Sequence, residues 1–242
     1  MLKLPISDIR KRYICRLVIR CVLLLCTAVL VFTQFERHDI LRGLDFFRKI
    51  SWLHVLWVLW ILDMLQQLYP AKNIALGSHK YFKGRFRPAL ERINKEAIKQ
   101  HVLATTRSAY KVMLLWIALI AGLGVLKYVG ILQDKHLFLV SVAFYVCDLI
   151  CVLIWCPFRL MMGNKCCTTC RIFNWDHLMM FTPMVYVMGF YSLSLLTVAI
   201  VIWELCVTIY PERFWEKSNT ALKCSECTDK LCTQYCQKLR KK

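Results

Sequence analysis

Four apolar runs, each about as long as a bilayer is thick, constrain this chain more than any other feature of its sequence. They are Ile14–Gln34, Ile50–Tyr69, Val112–Leu132 and Leu137–Phe158. A helix needs about 20 residues to cross the ~30 Å hydrocarbon core. The residues between the runs are too few to bury a second large core. We therefore predict an all-α, polytopic integral membrane protein with four clear transmembrane helices.

A fifth apolar region, Leu178–Ile209, is harder to interpret. Its 32 residues would extend about 48 Å as one helix, which exceeds one crossing and falls short of two. Pro183 near its start and Gly189–Ser192 further on provide a break and a turn. We expect a C-terminal membrane hairpin here, with one long tilted span as the alternative, giving five or six membrane segments in total.

Charge sets the expected orientation in the membrane. The chain carries a formal net charge of +18, and basic residues flanking a first helix usually stay in the cytosol. The N-terminus is then cytosolic, and only the hairpin keeps the basic C-terminus there as well. We expect a multi-pass protein of the cell or cytoplasmic membrane. Its predicted parts are a basic N-terminus (1–13), a transmembrane hairpin (14–69), a basic cytosolic loop with an amphipathic helix (70–111), a second transmembrane hairpin (112–158), a cytosolic cysteine loop (159–177), the membrane hairpin or long span (178–210) and a cysteine-rich basic tail (211–242).

Two cysteine clusters follow apolar regions and predict a metal site. Cys167 and Cys170 form one Cys-x-x-Cys pair, and Cys224 and Cys227 form another. Two such pairs supply the four thiolates that zinc or an iron–sulfur cluster takes. Stable disulfides are disfavoured, because the cytosol is reducing. Three further cysteines are reserve ligands: Cys166, Cys232 and Cys236.

Ionisable residues inside the apolar runs are a second group of candidates. Asp148 lies near the middle of the fourth run, where a charge costs about 2.5 to 3.5 kcal/mol. Its carboxylate needs either a cationic partner or a bound proton to be stable there. Arg20 and Asp63 lie six positions from the expected cytosolic ends of their runs, and Glu204 lies six positions before Tyr210, where the hairpin is expected to end, so the three are expected at similar depth. They could form a structural ion network or the gate of a proton or ion pathway.

The basic loop predicts contact with lipid. Within "GSHKYFKGRFRP" (77–88), basic and aromatic residues alternate beside two apolar runs, and anionic headgroups attract such segments. A nucleic-acid partner, which the same composition would suit, is disfavoured by this position. A membrane-protein partner or a homo-oligomer is also compatible with the sequence. The predicted lipid-contacting residues are Lys80, Lys83, Arg85 and Arg87.

No nucleophile elbow, P-loop, dinucleotide fingerprint or zinc-protease motif occurs in the sequence, so enzymatic activity stays undecided. Three functions follow from the patterns above. The first is a membrane protein with a cytosolic thiolate centre, either structural or electron-transferring. The second is a soft-metal or proton-coupled transporter that uses Asp148, and the third is a lipid-binding scaffold or assembly factor.

Overall fold

The computed structural model describes residues 8–33, 55, 58–59, 62, 86–90, 93–161, 180, 182–188, 197, 201 and 204–223. The helical class predicted from the apolar runs is confirmed for this part of the chain, which contains no strand. Three of its helices are long and apolar enough to cross a membrane. The second predicted span, 50–69, lies almost wholly outside the described residues.

The three long helices are α1 (Asp8–Thr33), α2 (Lys95–Tyr128) and α3 (Asp134–Leu153). Shorter helices follow: α4 (Phe158–Met161), α5 (Val185–Met188) and the 3-10 turns Thr182–Met184, Pro211–Phe214 and Thr220–Leu222. Residues 204–209 are also helical. The helix α2 is continuous from the predicted basic loop into the predicted third span.

Local sequence explains where α2 begins and ends. The Asn94 side chain accepts a hydrogen bond from the Glu96 backbone N–H (3.0 Å), which satisfies one of the free donors of the first turn. At the other end Gly130 has φ +85°, a conformation that glycine adopts at little cost. The chain then reverses, and Lys127 Nζ lies 2.6 Å from Asp134 Oδ1 across the turn. The helices α2 and α3 are therefore antiparallel neighbours.

The helix α3 is the centre of the described fold. It buries ten residues, whereas α1 buries four and α2 two. The four on α1 (Tyr13, Arg20, Thr27 and Val31) form one narrow stripe, with the first three spaced by seven residues. Tyr13 packs in a cluster with residues 149, 152 and 153 of α3. The start of α1 thus lies beside the end of α3, and these two helices are also antiparallel.

The segment 182–188 packs against α2 and α3. Trp116 Nε1 donates a hydrogen bond to Thr182 Oγ1 (2.8 Å), and Tyr186 Oη donates one to the Ile120 carbonyl (3.1 Å). The Tyr186 ring lies directly on Gly124, so close that a Cβ at that position would be 2.5 Å from Tyr186 Oη. A small residue is needed there for the two segments to approach. Along this segment the chain runs in the same direction as α2.

Candidate functional site

A buried ion pair joins α1 to α3. Arg20 Nη1 lies 2.7 Å from Asp148 Oδ2, and their side chains are 3% and 2% exposed. The same nitrogen donates to the Tyr145 carbonyl oxygen at 2.7 Å. Charge-assisted hydrogen bonds of this length are the strong kind. Asp148, predicted to need a partner, has one in Arg20.

The ring of Tyr145 completes the environment of the guanidinium. The Arg20 Cζ atom lies 3.8 Å from the ring centroid, well within cation–π range. Tyr145 therefore offers both a carbonyl and an aromatic face, three residues before Asp148 on α3. This placement follows from helical geometry, since residues three apart lie on one face. A planar guanidinium can satisfy all three contacts together, whereas a lysine ammonium is a single point charge.

The other predicted intramembrane residues are placed less completely. Glu204 is half-buried in the helical segment 204–209, and its carbonyl accepts a hydrogen bond from Thr208 Oγ1 (2.9 Å). Asp63 lies outside the described residues. The predicted association of Arg20, Asp63 and Glu204 therefore stays a prediction, while the contact of Arg20 with Asp148 is a feature of the structure.

A second constellation forms where residues 210–223, the docked segment, meet residues 86–90. The Ala89 N–H donates to the Ser218 carbonyl (3.0 Å), and the Thr220 N–H donates to the Arg87 carbonyl (2.9 Å). Pro88 and Asn219 form an isolated antiparallel bridge. Two segments separated by about 130 positions in sequence are thus joined by their backbones.

Asn219 is the centre of this junction and is fully buried. Its Oδ1 accepts from the backbone N–H groups of Arg87 (3.3 Å) and Ala221 (3.2 Å). Its Nδ2 donates to the Arg213 carbonyl (2.9 Å). One side chain therefore closes the docked segment on itself and fixes it to the loop before α2. Leaving partly buried backbone groups unsatisfied is costly, so a single amide can hold the junction.

Aromatic and cationic side chains cover the junction. The rings of His101 and Trp215 stack with centroids 4.8 Å apart and planes 18° apart. Arg213 lies 3.8 Å above the ring of Tyr210, and Lys217 lies 5.3 Å from that of Trp215. These contacts seat the docked segment on the first turns of α2. It thus lies at the end of the bundle where α2 and α1 begin and α3 ends.

The predicted metal ligands Cys166, Cys167, Cys170, Cys224, Cys227, Cys232 and Cys236 lie outside the described residues. No group of three or more His, Cys, Asp or Glu side chains suited to a metal occurs among the residues that the structure does describe. Of the predicted lipid-contacting residues, Arg87 is described; its backbone is held by the junction and its side chain is exposed. Lys80, Lys83 and Arg85 lie outside the described part.

Comparison with known proteins adds no function. No family model matches the chain, and neither a curated protein nor a solved structure is significantly similar to it.

The junction at Asn219 was not predicted from the sequence. An asparagine in a short polar stretch is typical of turns and helix caps, and nothing in the stretch "EKSNTAL" (216–222) indicates a partner 130 residues earlier. The role of Tyr145 was also not predicted, because a tyrosine in an apolar run most often packs. The isolated charge at Asp148 was the one clear signal.

Proposed function

We propose that the chain is an integral membrane protein that holds a thiolate metal centre on its cytosolic side, built by Cys167, Cys170, Cys224 and Cys227. The observation that supports this most is the docked segment, which is anchored on α2 and ends at Lys223, one residue before Cys224. An anchored start reduces the entropy lost when the tail thiolates gather round an ion.

The arrangement of the helices supports a common side for both cysteine clusters. The end of α3, which precedes the first cluster, lies at the same end of the bundle as the start of α1 and the docked segment. The chain leaves α3 at that end and is back there by Tyr210, so it would cross the membrane an even number of times in between.

The direction of segment 182–188 fits the same interpretation. Thr182 contacts Trp116, and Tyr186 contacts Ile120 and Lys127, further along α2 and nearer the opposite end of the bundle. Along this segment the chain thus moves away from the end of the bundle where α3 terminates, and it is back at that end by Tyr210. We propose that residues 178–210 form the expected hairpin with its bend near 189–192. The N- and C-termini are then both cytosolic.

The proposed centre would be either a structural zinc site, which clamps the tail to the cysteine loop, or an iron–sulfur cluster that passes electrons to a membrane partner. Four thiolates suit both metals. A transporter working through Asp148 is less well supported, because its carboxylate is engaged by Arg20 at 2.7 Å. A lipid-binding role is favoured by the exposed cations near the docked segment, and it is compatible with a metal centre.

Elemental analysis and an absorption spectrum on protein purified anaerobically in detergent test the proposal. We expect stoichiometric zinc, or iron with broad absorption near ~400 nm, lost in Cys167→Ser and in Cys224→Ser. Cys26→Ser is the control, since Cys26 is an exposed cysteine on α1 outside both clusters. Absence of metal from the wild type, or its equal loss in the control, would overturn the proposal.

Labelling of single cysteines with a membrane-impermeant maleimide tests the common side. In intact cells both clusters should be protected, and both should react once the cytosolic side is opened. Labelling of the tail alone from outside would exclude a shared centre.

A further inference from the structure

Two helices of the bundle carry matched pairs of basic residues. Arg12 and Arg16 lie on α1, and Arg107 and Lys111 lie on α2. Within each pair the residues are four positions apart, so they share a helix face. Arg12, Arg107 and Lys111 are exposed, and Arg16 is half-buried. We call these four residues the cationic layer.

Contacts between α1 and α3 fix the depth of the first pair. Tyr13 packs against Leu149 and its neighbours toward the end of α3, and Arg20 meets Asp148. Arg16 lies midway between Tyr13 and Arg20. Antiparallel helices with equal rise per residue therefore place Arg16 beside position 149 of α3, and the residue one turn earlier beside position 153.

Contacts between α2 and α3 fix the depth of the second pair. Lys127 meets Asp134 at 2.6 Å, and the rings of Trp116 and Phe144 lie 4.9 Å apart. Each step toward the start of α2 corresponds to one step toward the end of α3. Continuing this register places Lys111 at the level of positions 149 to 150 of α3, and the residue four earlier at the level of positions 153 to 154.

The four cations therefore lie at two shared levels, Arg16 with Lys111 and Arg12 with Arg107. The sequence expects both pairs near the cytosolic starts of apolar runs, but it does not give the axial register between two helices that are far apart in the chain. The shared levels arise because both helices run antiparallel to α3, which α1 contacts along its length and α2 contacts through long side chains such as Trp116 and Lys127.

The cationic layer lies where a headgroup region is expected. Lys111 and Lys127 are 16 residues apart on α2, about 24 Å at 1.5 Å per residue, and extended lysine stems can bridge the difference from a ~30 Å hydrocarbon core. Trp155, 54% exposed, lies just beyond the layer, and tryptophan is enriched at membrane interfaces. Asp148 lies at the inner edge of this layer, but its side chain is 2% exposed and bound to Arg20.

We propose that the cationic layer binds the phosphates of anionic phospholipid headgroups around the bundle. Four cations at two levels about 6 Å apart match the phosphate zone of one leaflet, and their stems can extend along apolar helix surface. The site is distinct from the lipid contacts predicted at residues 80 to 87, and it does not depend on the metal centre.

Electron paramagnetic resonance of spin-labelled phosphatidylglycerol tests this on the full chain reconstituted in phosphatidylcholine vesicles. We expect the wild type to enrich the anionic label over spin-labelled phosphatidylcholine at its surface. Each basic residue at the surface raises the association constant for anionic lipid about fivefold. Arg107→Gln/Lys111→Gln should therefore lower the association constant of the anionic label, relative to phosphatidylcholine, by about five- to thirtyfold. Circular dichroism and gel filtration check that the variant is folded.

The matched control is Lys95→Gln/Lys99→Gln. These two exposed lysines have the same spacing on the same helix, but they lie about 18 Å further out along its axis. The control should change lipid selectivity by less than about twofold. An equal effect of both double variants would show that net charge alone sets the lipid preference, and it would overturn the proposal. A wild type with no preference for anionic lipid would overturn it as well.

Inorganic phosphate at matched ionic strength distinguishes a headgroup from a free anion. Headgroup binding predicts that phosphate displaces the spin-labelled lipid no better than chloride does. Selective displacement by phosphate would assign the cations to a soluble phosphate and overturn the lipid proposal.

Discussion

Removal of one partner of the Arg20–Asp148 pair should destabilise the protein far more than removal of both. In Asp148→Leu the Arg20 guanidinium keeps its contacts with the Tyr145 carbonyl and ring but loses its carboxylate partner. Its charge then stays buried, because the Arg20 side chain is 3% exposed. In Arg20→Leu the carboxylate loses its cation at 2% exposure. The double variant Arg20→Leu/Asp148→Leu leaves an apolar contact between α1 and α3.

The expected magnitudes follow from burial. Breaking a buried pair costs about 3 to 5 kcal/mol, because one charge stays uncompensated, whereas replacing both partners by apolar residues is often neutral or stabilising. We therefore expect each single variant to lose about 3 kcal/mol and the double variant to recover most of that loss. The coupling free energy should be about 4 to 6 kcal/mol, because two losses of about 3 kcal/mol each are replaced by a small one. Arg20→Lys should recover part of it, because an ammonium cannot reproduce the planar contacts.

Equilibrium unfolding of the purified protein in mixed micelles, with rising mole fraction of sodium dodecyl sulfate, measures these differences by far-ultraviolet circular dichroism. The control is Lys11→Leu, which removes the exposed contact between Lys11 Nζ and Asp8 Oδ1 (3.3 Å). Exposed pairs contribute little, so its unfolding midpoint should stay near that of the wild type.

Additive losses in the double variant would refute this reasoning, because they would mean that Arg20 and Asp148 act separately. Single variants as stable as the control would refute it too. Recovery of the midpoint in the exchanged pair Arg20→Asp/Asp148→Arg would support the pair as a simple contact of opposite charges.

Three further predictions concern the packing and the docked segment. Gly124→Leu should destabilise the fold by about 1 to 3 kcal/mol, because Tyr186 occupies the space of the new side chain. The control is Gly122→Leu, where a Cβ meets nothing within 4 Å. Equal unfolding midpoints for the two variants would contradict the predicted clash. Asn219→Ala should release the docked segment, seen as faster proteolysis within 210–223 in detergent, and an unchanged digestion rate would count against the junction. Lys127→Met should lower the thermal midpoint, because it removes the contact with Asp134 at 2.6 Å, and Lys135→Met is its neighbouring control.

The need for a partner of Asp148 could be predicted from the sequence, because this single residue places a charge inside an apolar run. The charge of Asp148 inside an apolar run required a counterion or a proton, whatever the fold. The identity of the counterion was not determined, because four ionisable residues lay in different runs, and depth counted from run ends favoured Asp63 and Glu204 as partners of Arg20. Counting depth from run ends assumes that the helices coincide with the apolar runs, whereas α1 begins six residues before its run and α3 ends five residues before the end of its run.

The junction at Asn219 illustrates a second limit. Its hydrogen bonds run between backbone groups of 86–90 and 210–223, and backbone groups are the same at every residue, so no pattern of side chains announces them. The basic character of both segments was visible in the sequence. Their contact depends on the course of the chain between them, which composition does not contain.

The sequence by itself determined that the described part is helical and has three helices long and apolar enough to cross a membrane, because apolar runs of that length have few other stable arrangements. It also supplied the cysteine pairs on which the proposed metal centre depends. Only the tertiary structure decided that Arg20 pairs with Asp148 and that α3 is the central helix of the described part. The physical reason is that periodicity shows which face of a helix is apolar, whereas axial register between helices is set by side chains meeting across the interface.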